Sequence, residues 1–147
     1  PAGGVDAYSG DYLASLGLLV VFADKEWREH IDIDSYLCAN DLHDVKYIAI
    51  FDNGATTMSA SDLLWIAAAN TDPKRDIRIN GNTMIIDARS KRPGYGNNPS
   101  RFPNVVTSSP ETISLVDSRW SEYGVGEMVE SPSSHYRKLL LSDNDQW

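Results

Sequence analysis

Apolar residues form two short unbroken runs in the first half of the chain. Residues 16–23 read LGLLVVFA and residues 46–52 read KYIAIFD. Both are rich in β-branched and aromatic side chains, and neither alternates with polar positions. That pattern predicts strands buried on both faces, as in a parallel sheet. Roughly twenty residues lie between them, enough for a crossover helix. The segment between Trp27 and Leu42 is the expected crossover, although Ile31-Asp32-Ile33 interrupts its period.

The next element carries clearer punctuation. Ser59 and Asp62 have the spacing of a capping box, and Leu63, Ile66, Ala67 and Asn70 then share one helical face. Thr71-Asp72-Pro73 stops the helix. Short strands are expected at 77–79 and 84–86. Strand, helix, strand, helix, strand in that order predicts a single α/β domain with a mostly parallel sheet flanked by helices. From Arg92 to Pro110 the composition turns to Pro, Gly, Asn and Ser, a long loop suited to docking or lid duty. A last helix is predicted from Ser109-Pro110-Glu111, with Ile113, Val116, Trp120 and Tyr123 on one stripe and Gly124 as its C-cap. Trp65 and Trp120 read as core anchors. The domain is expected to span residues 1–130, with 131–147 as a polar, loosely attached tail.

Composition narrows the class without naming an activity. A length of 147 residues suits one domain, 41% hydrophobic and 23% charged residues are ordinary globular values, and the net charge is −8. An acidic surface repels phosphate backbones, so nucleic acid is an unsuitable partner. One cysteine, Cys38, leaves no internal disulfide or multi-cysteine metal site, which fits a cytoplasmic setting. No apolar run approaches the ~20 residues that span a bilayer. The opening Pro-Ala-Gly-Gly reads as an interior loop.

Candidate chemistry is sparse. Asp52 ends a hydrophobic strand, as does the nucleophile of aspartate-based phosphoryl transfer, but such sites place a second acid two residues on, where Gly54 stands here. A strand exit with an Asn-Gly turn is the better reading. His30, His43 and His135 have no ligand spacing among them. Neither a dinucleotide-type Gly-rich loop nor a nucleophile elbow is present. Arg89, Lys91, Arg92 and Arg101 form one basic segment, either a phosphate or carboxylate contact or a solvated loop.

The segment from Val45 to Ile79 resembles the UbiD family of prenylated-flavin (de)carboxylases in its C-terminal domain. Lys46, Tyr47 and Asp52 fit the family's strand. Asp62, Leu64, Trp65 and Ala67 fit its helix, and Asp72, Pro73, Arg75 and Asp76 fit the "D-P-x-R-D" that follows. Met84-Ile85-Ile86-Asp87-Ala88-Arg89-Ser90-Lys91 is similar to "M-G-I-D-A-T-x-K", and Pro1-Ala2-Gly3-Gly4-Val5 resembles the family's "P-x-G-G" turn. The matches run in order over residues 1–91. Thr83 stands where some members carry a lysine near the flavin phosphate, and Arg89 replaces the usual threonine.

The resemblance implies a division of labour. Prenylated FMN, a divalent metal, a monovalent cation and the catalytic Arg and Glu residues belong to an N-terminal domain with no counterpart in this chain. No catalytic residue is therefore expected here. The chain would cover the cofactor cleft, contribute Thr83, Met84, Arg89 and Lys91 to it, and make homo-oligomer contacts. The activity implied is reversible decarboxylation of an aromatic or α,β-unsaturated acid. The alternative is a non-catalytic α/β interaction module. Substrate and direction are not encoded in these residues.

Overall fold

The computed structural model describes residues 5–8, 17–23, 45–91 and 105–140. The crossover expected at 27–42, the loop at 92–104 and the end of the tail lie outside them. The chain separates into two compact units, Pro1–Phe102 and Pro103–Trp147.

The first unit is built on a five-stranded sheet in the order β1-β2-β3-β5-β4. The strands are β1 (Val5–Tyr8), β2 (Leu18–Ala23), β3 (Tyr47–Asp52), β4 (Ile77–Asn80) and β5 (Thr83–Asp87). The central three, β2, β3 and β5, are parallel, with Leu18 opposite Tyr47 and Tyr47 opposite Met84. This is the α/β architecture expected from the apolar runs. The edges differ from the centre. β1 runs antiparallel to β2, and β4 forms a hairpin with β5 closed at Asn80 and Thr83. Two residues, Gly81 and Asn82, cannot return a chain for parallel pairing, so the hairpin is forced to be antiparallel.

Both faces of β2 and β3 are buried. One carries Leu19, Val21, Ala23, Ile48, Ile50 and Ile85 as a single cluster, with Val45 packed against it. The other carries Val20, Phe22, Ala49 and Phe51, whose two phenyl rings are tilted with centroids 6.1 Å apart. Unbroken apolar sequence in β2 and β3 is the consequence.

Helix α1 (Ala60–Asn70) follows β3 after a 3-10 turn at Asn53–Ala55. Its capping box is complete: Ser59 Oγ accepts from the Asp62 amide, and Asp62 Oδ2 accepts from the Ser59 amide at 3.0 Å. Leu63 and Ile66 are buried, as the stripe requires. Trp65 is not a core anchor. It is 48% exposed, because it stands about 100° around the helix from Ile66. The helix is apolar nearly all round, so composition alone could not choose its inner face.

In the second unit, the helix expected over 110–123 is broken. α3 (Pro110–Ser118) ends at Arg119, whose ψ of 9° departs from helical geometry, and α4 (Trp120–Tyr123) restarts for one turn. Gly124 closes it at φ 63°, a left-handed cap that favours glycine. Trp120 Nε1 donates to Gly126 O at 3.1 Å, so this ring folds back over the cap. Helix α5 (Pro132–Tyr136) and a 3-10 turn at Arg137–Leu139 follow, with Leu139 buried. The segment read as a loose tail therefore contains regular structure. Among the described residues, no helix is long and apolar enough to cross a membrane.

Candidate functional site

In parallel sheets, loops beyond the carboxyl ends of the strands are where ligands generally bind. Here that end gathers charge. β3 finishes at Asp52 and β5 at Asp87, and the chain continues from Asp87 along the sheet end as Ala88-Arg89-Ser90-Lys91. Several hydrogen bonds hold this run in place. The Ala88 amide donates to Ile50 O, and Asn70 Nδ2 donates to Ala88 O at 3.0 Å. The Ser90 amide donates to Asp52 Oδ2 at 2.8 Å, and Lys91 Nζ donates to Asp87 O at 2.7 Å.

Asp72-Pro73-Lys74-Arg75-Asp76 forms α2 (Pro73–Asp76), a single turn. Asp72 caps it, accepting from the Lys74 and Arg75 amides, and Pro73 occupies the first position, where a missing N–H does no harm. Asp76 Oδ2 accepts from the Asp72 amide at 2.8 Å, and both carboxylate oxygens of Asp76 are forked by Arg75 at 2.8 and 2.7 Å. Asp76 immediately precedes β4, and the β4–β5 register, continued one step, sets it opposite Asp87.

Two carboxylates side by side, Asp76 buried and Asp87 half-buried, repel each other unless cations intervene. Arg89 forks Asp87, with Nε 2.9 Å from Oδ1 and Nη2 2.6 Å from Oδ2. Lys91 Nζ lies 3.4 Å from Asp87 Oδ1 and 3.8 Å from Asp76 Oδ1, joining the two acids. The Lys91 side chain has no solvent exposure and that of Arg89 only 4%. Burial works against the charged form of Asp87, yet the bonds from Arg89 and the charges of Arg89 and Lys91 prevail. They hold its carboxyl far below the usual range. Asp76 is likewise lowered, burial being outweighed by Arg75 and the Asp72 amide. Burial drives Lys91 downward, and Asp87 and Asp76 oppose that shift.

The four expected cofactor contacts do not come together. Thr83 and Met84 begin β5, whereas Arg89 and Lys91 lie beyond its end. Four steps of strand, about 13 Å, intervene between Thr83 and Asp87. Thr83 is buried, its Oγ1 donating to Val45 O at 2.7 Å. Met84 is half-buried on the opposite sheet face from Asp87. A flavin phosphate needs outward-facing donors, and the buried Arg89 and Lys91 side chains, turned onto carboxylates and carbonyls, offer no such cradle. No group of three or more His, Cys, Asp or Glu side chains among the described residues is placed to hold a metal ion. Asp52 accepts a backbone amide, as a strand exit would. No local signal marks Asn70 or Asp76 for this cluster, although the alternate spacing of Asp87, Arg89 and Lys91 can set those three on one side.

No family model matches the chain. Curated relatives that match it include uncharacterised proteins of Aquifex aeolicus, 30% identical over 98 residues, and of Aeropyrum pernix, 26% identical over 96. Each alignment covers 54% of this chain and 20% of the relative, so the chain matches about a fifth of their length. Among solved structures, the closed form of Sedimentibacter hydroxybenzoicus vanillic acid decarboxylase aligns with TM-score 0.54 and 12% identity. That alignment covers 75% of this chain and 27% of that one. An evolved dimeric form of the UbiD-class enzyme HmfF from Pelotomaculum thermopropionicum, in complex with prFMN, gives TM-score 0.43 and 21% identity over 69% and 22% of the two chains. The decarboxylase alignment establishes a shared fold.

Proposed function

We propose that this chain is the C-terminal portion of a UbiD-like reversible decarboxylase of an aromatic or α,β-unsaturated acid. In this reading it closes over a cleft whose prenylated FMN and metal ions are held by a separate N-terminal domain or subunit. It also contributes to homo-oligomer contacts in a cytoplasmic enzyme. The observation that carries the proposal is the agreement of motif with element. The three family-like segments fall in order on β3–α1, on the α2 turn and on β5 with its exit, in a fold shared with a vanillic acid decarboxylase. When bound, the flavin would supply the electron sink for CO2 exchange. The part of Thr83, Met84, Arg89 and Lys91 is then to fix β5 and the backbone leaving it.

The test is purification of the chain from its natural source. A polypeptide with stoichiometric flavin should accompany it, either joined to it or in complex, and the assembly should release CO2 from such an acid. A chain isolated intact and alone, with no flavin polypeptide attached, favours the interaction-module alternative.

A further inference from the structure

Lys91 is the most deeply buried charge described, yet the carboxylates around it are already served. Arg75 is forked onto Asp76 and Arg89 onto Asp87. Lys91 is thus a third cation beside two acids. Its own strong bonds go elsewhere, to Asp87 O and Arg89 O, both at 2.7 Å, with the two carboxylate oxygens more distant at 3.4 and 3.8 Å. Among the described residues, the ammonium therefore has four oxygens around it, led by two backbone carbonyls. Dehydrated monovalent cations are held by carbonyl oxygens in the same manner.

From this arrangement we infer that Lys91 acts as a tethered structural cation. Its head occupies an oxygen-lined site that will accept a small free monovalent cation once the tether is removed. The site orders the turn from Asp87 to Lys91 by drawing two alternate carbonyls, Asp87 O and Arg89 O, onto one point. An ordinary salt bridge would not do this, because it would leave those carbonyls to water or to other donors. The inference stands apart from the decarboxylase reading and survives if that reading fails. It also removes Lys91 from the groups able to bind an external phosphate.

The experiment uses the 147-residue chain carrying Lys91→Ala or Lys91→Met. Unfolding is followed by far-ultraviolet circular dichroism. Breaking a buried charge cluster should lower the Tm of each variant by about 10 °C. Ammonium, methylammonium and potassium chloride are compared with tetramethylammonium chloride at equal ionic strength. The small cations should raise the Tm of Lys91→Ala by several degrees (~3–5 °C, a partial recovery of that loss) above tetramethylammonium. They should leave Lys91→Met and the natural chain unchanged, since methionine fills the space without charge. If Lys91→Ala is unfolded without added cation, recovery of the far-ultraviolet signal in ammonium but not in tetramethylammonium is the same positive result. The inference is overturned if Lys91→Ala melts with the natural protein. It is equally overturned if all the salts act alike, or if none restores an unfolded variant.

Discussion

The carboxylate of Asp52 and the amide of Ser90 meet at 2.8 Å across thirty-eight positions of sequence. This bond joins the end of β3 to the run beyond β5, and it turns a strand-end acid into a backbone anchor. Asp52→Asn keeps an acceptor oxygen and should change stability little. Asp52→Ala leaves the half-buried Ser90 amide without that partner and should cost about 1–3 kcal/mol. Urea unfolding of the two variants checks the contrast, and equal losses would show that the bond does not hold the loop.

The inner face of α1 is assigned by comparing Ile66 with Trp65. Ile66→Ala should cost about 2–5 kcal/mol, the range for a buried aliphatic truncation. Trp65→Ala should cost less, about 1–2 kcal/mol, because roughly half of that side chain remains in water. A larger loss at Trp65 than at Ile66 in denaturant melts would reverse the orientation of the helix.

Ser59→Ala removes one half of the capping box and should destabilise the chain by about 1 kcal/mol. Ser59→Asp retains an acceptor for the Asp62 amide but places a second acid beside Asp62. It should recover part of the loss, more in high salt than in low, since salt screens the repulsion. Thermal melts at two ionic strengths read both effects.

Acid should attack the first unit through Asp87 and Asp76. Both carboxyls are lowered in the folded state, so the stability they contribute is complete above the ordinary carboxylate value of about 4. It is lost progressively as pH falls below that value toward the depressed folded ones. Asp87→Asn should be less stable than the natural chain at neutral pH, and the gap should narrow between about pH 4 and pH 2. A gap that stays constant across that window in pH-dependent unfolding would show that Asp87 is not the group responsible.

Much of the architecture was legible because its signals are local. β2 and β3 announce themselves by apolar sequence that only double-faced burial explains, and α1 by Ser59 and Asp62. β1 was not legible. Val5-Asp6-Ala7-Tyr8 has one β-branched residue and owes its strand state to pairing with β2. The break at Arg119 has no sequence signal because Ile113, Val116, Trp120 and Tyr123 keep helical spacing across it. The charged cluster was half legible. The spacing of Asp87, Arg89 and Lys91 is visible in sequence, but the arrival of Asp76 beside them depends on the hairpin register. Arg89 and Lys91, which along the line of sequence fit either a phosphate contact or a solvated loop, are in space turned inward.

The mixture of strand pairings also sets an order of assembly. β4 and β5 meet through a two-residue turn, whereas Leu18 and Tyr47, or Tyr47 and Met84, must find each other across roughly thirty or more residues. Loop closure over such lengths is slow compared with hairpin formation. We expect the β4–β5 hairpin with α1 to form early and β2 to join last. Truncations within Val20 or Val21 should therefore accelerate unfolding and leave the refolding rate nearly unchanged. Substitutions at Ile85 should slow refolding. Stopped-flow chevrons showing the opposite pattern would place the nucleus at β2 instead.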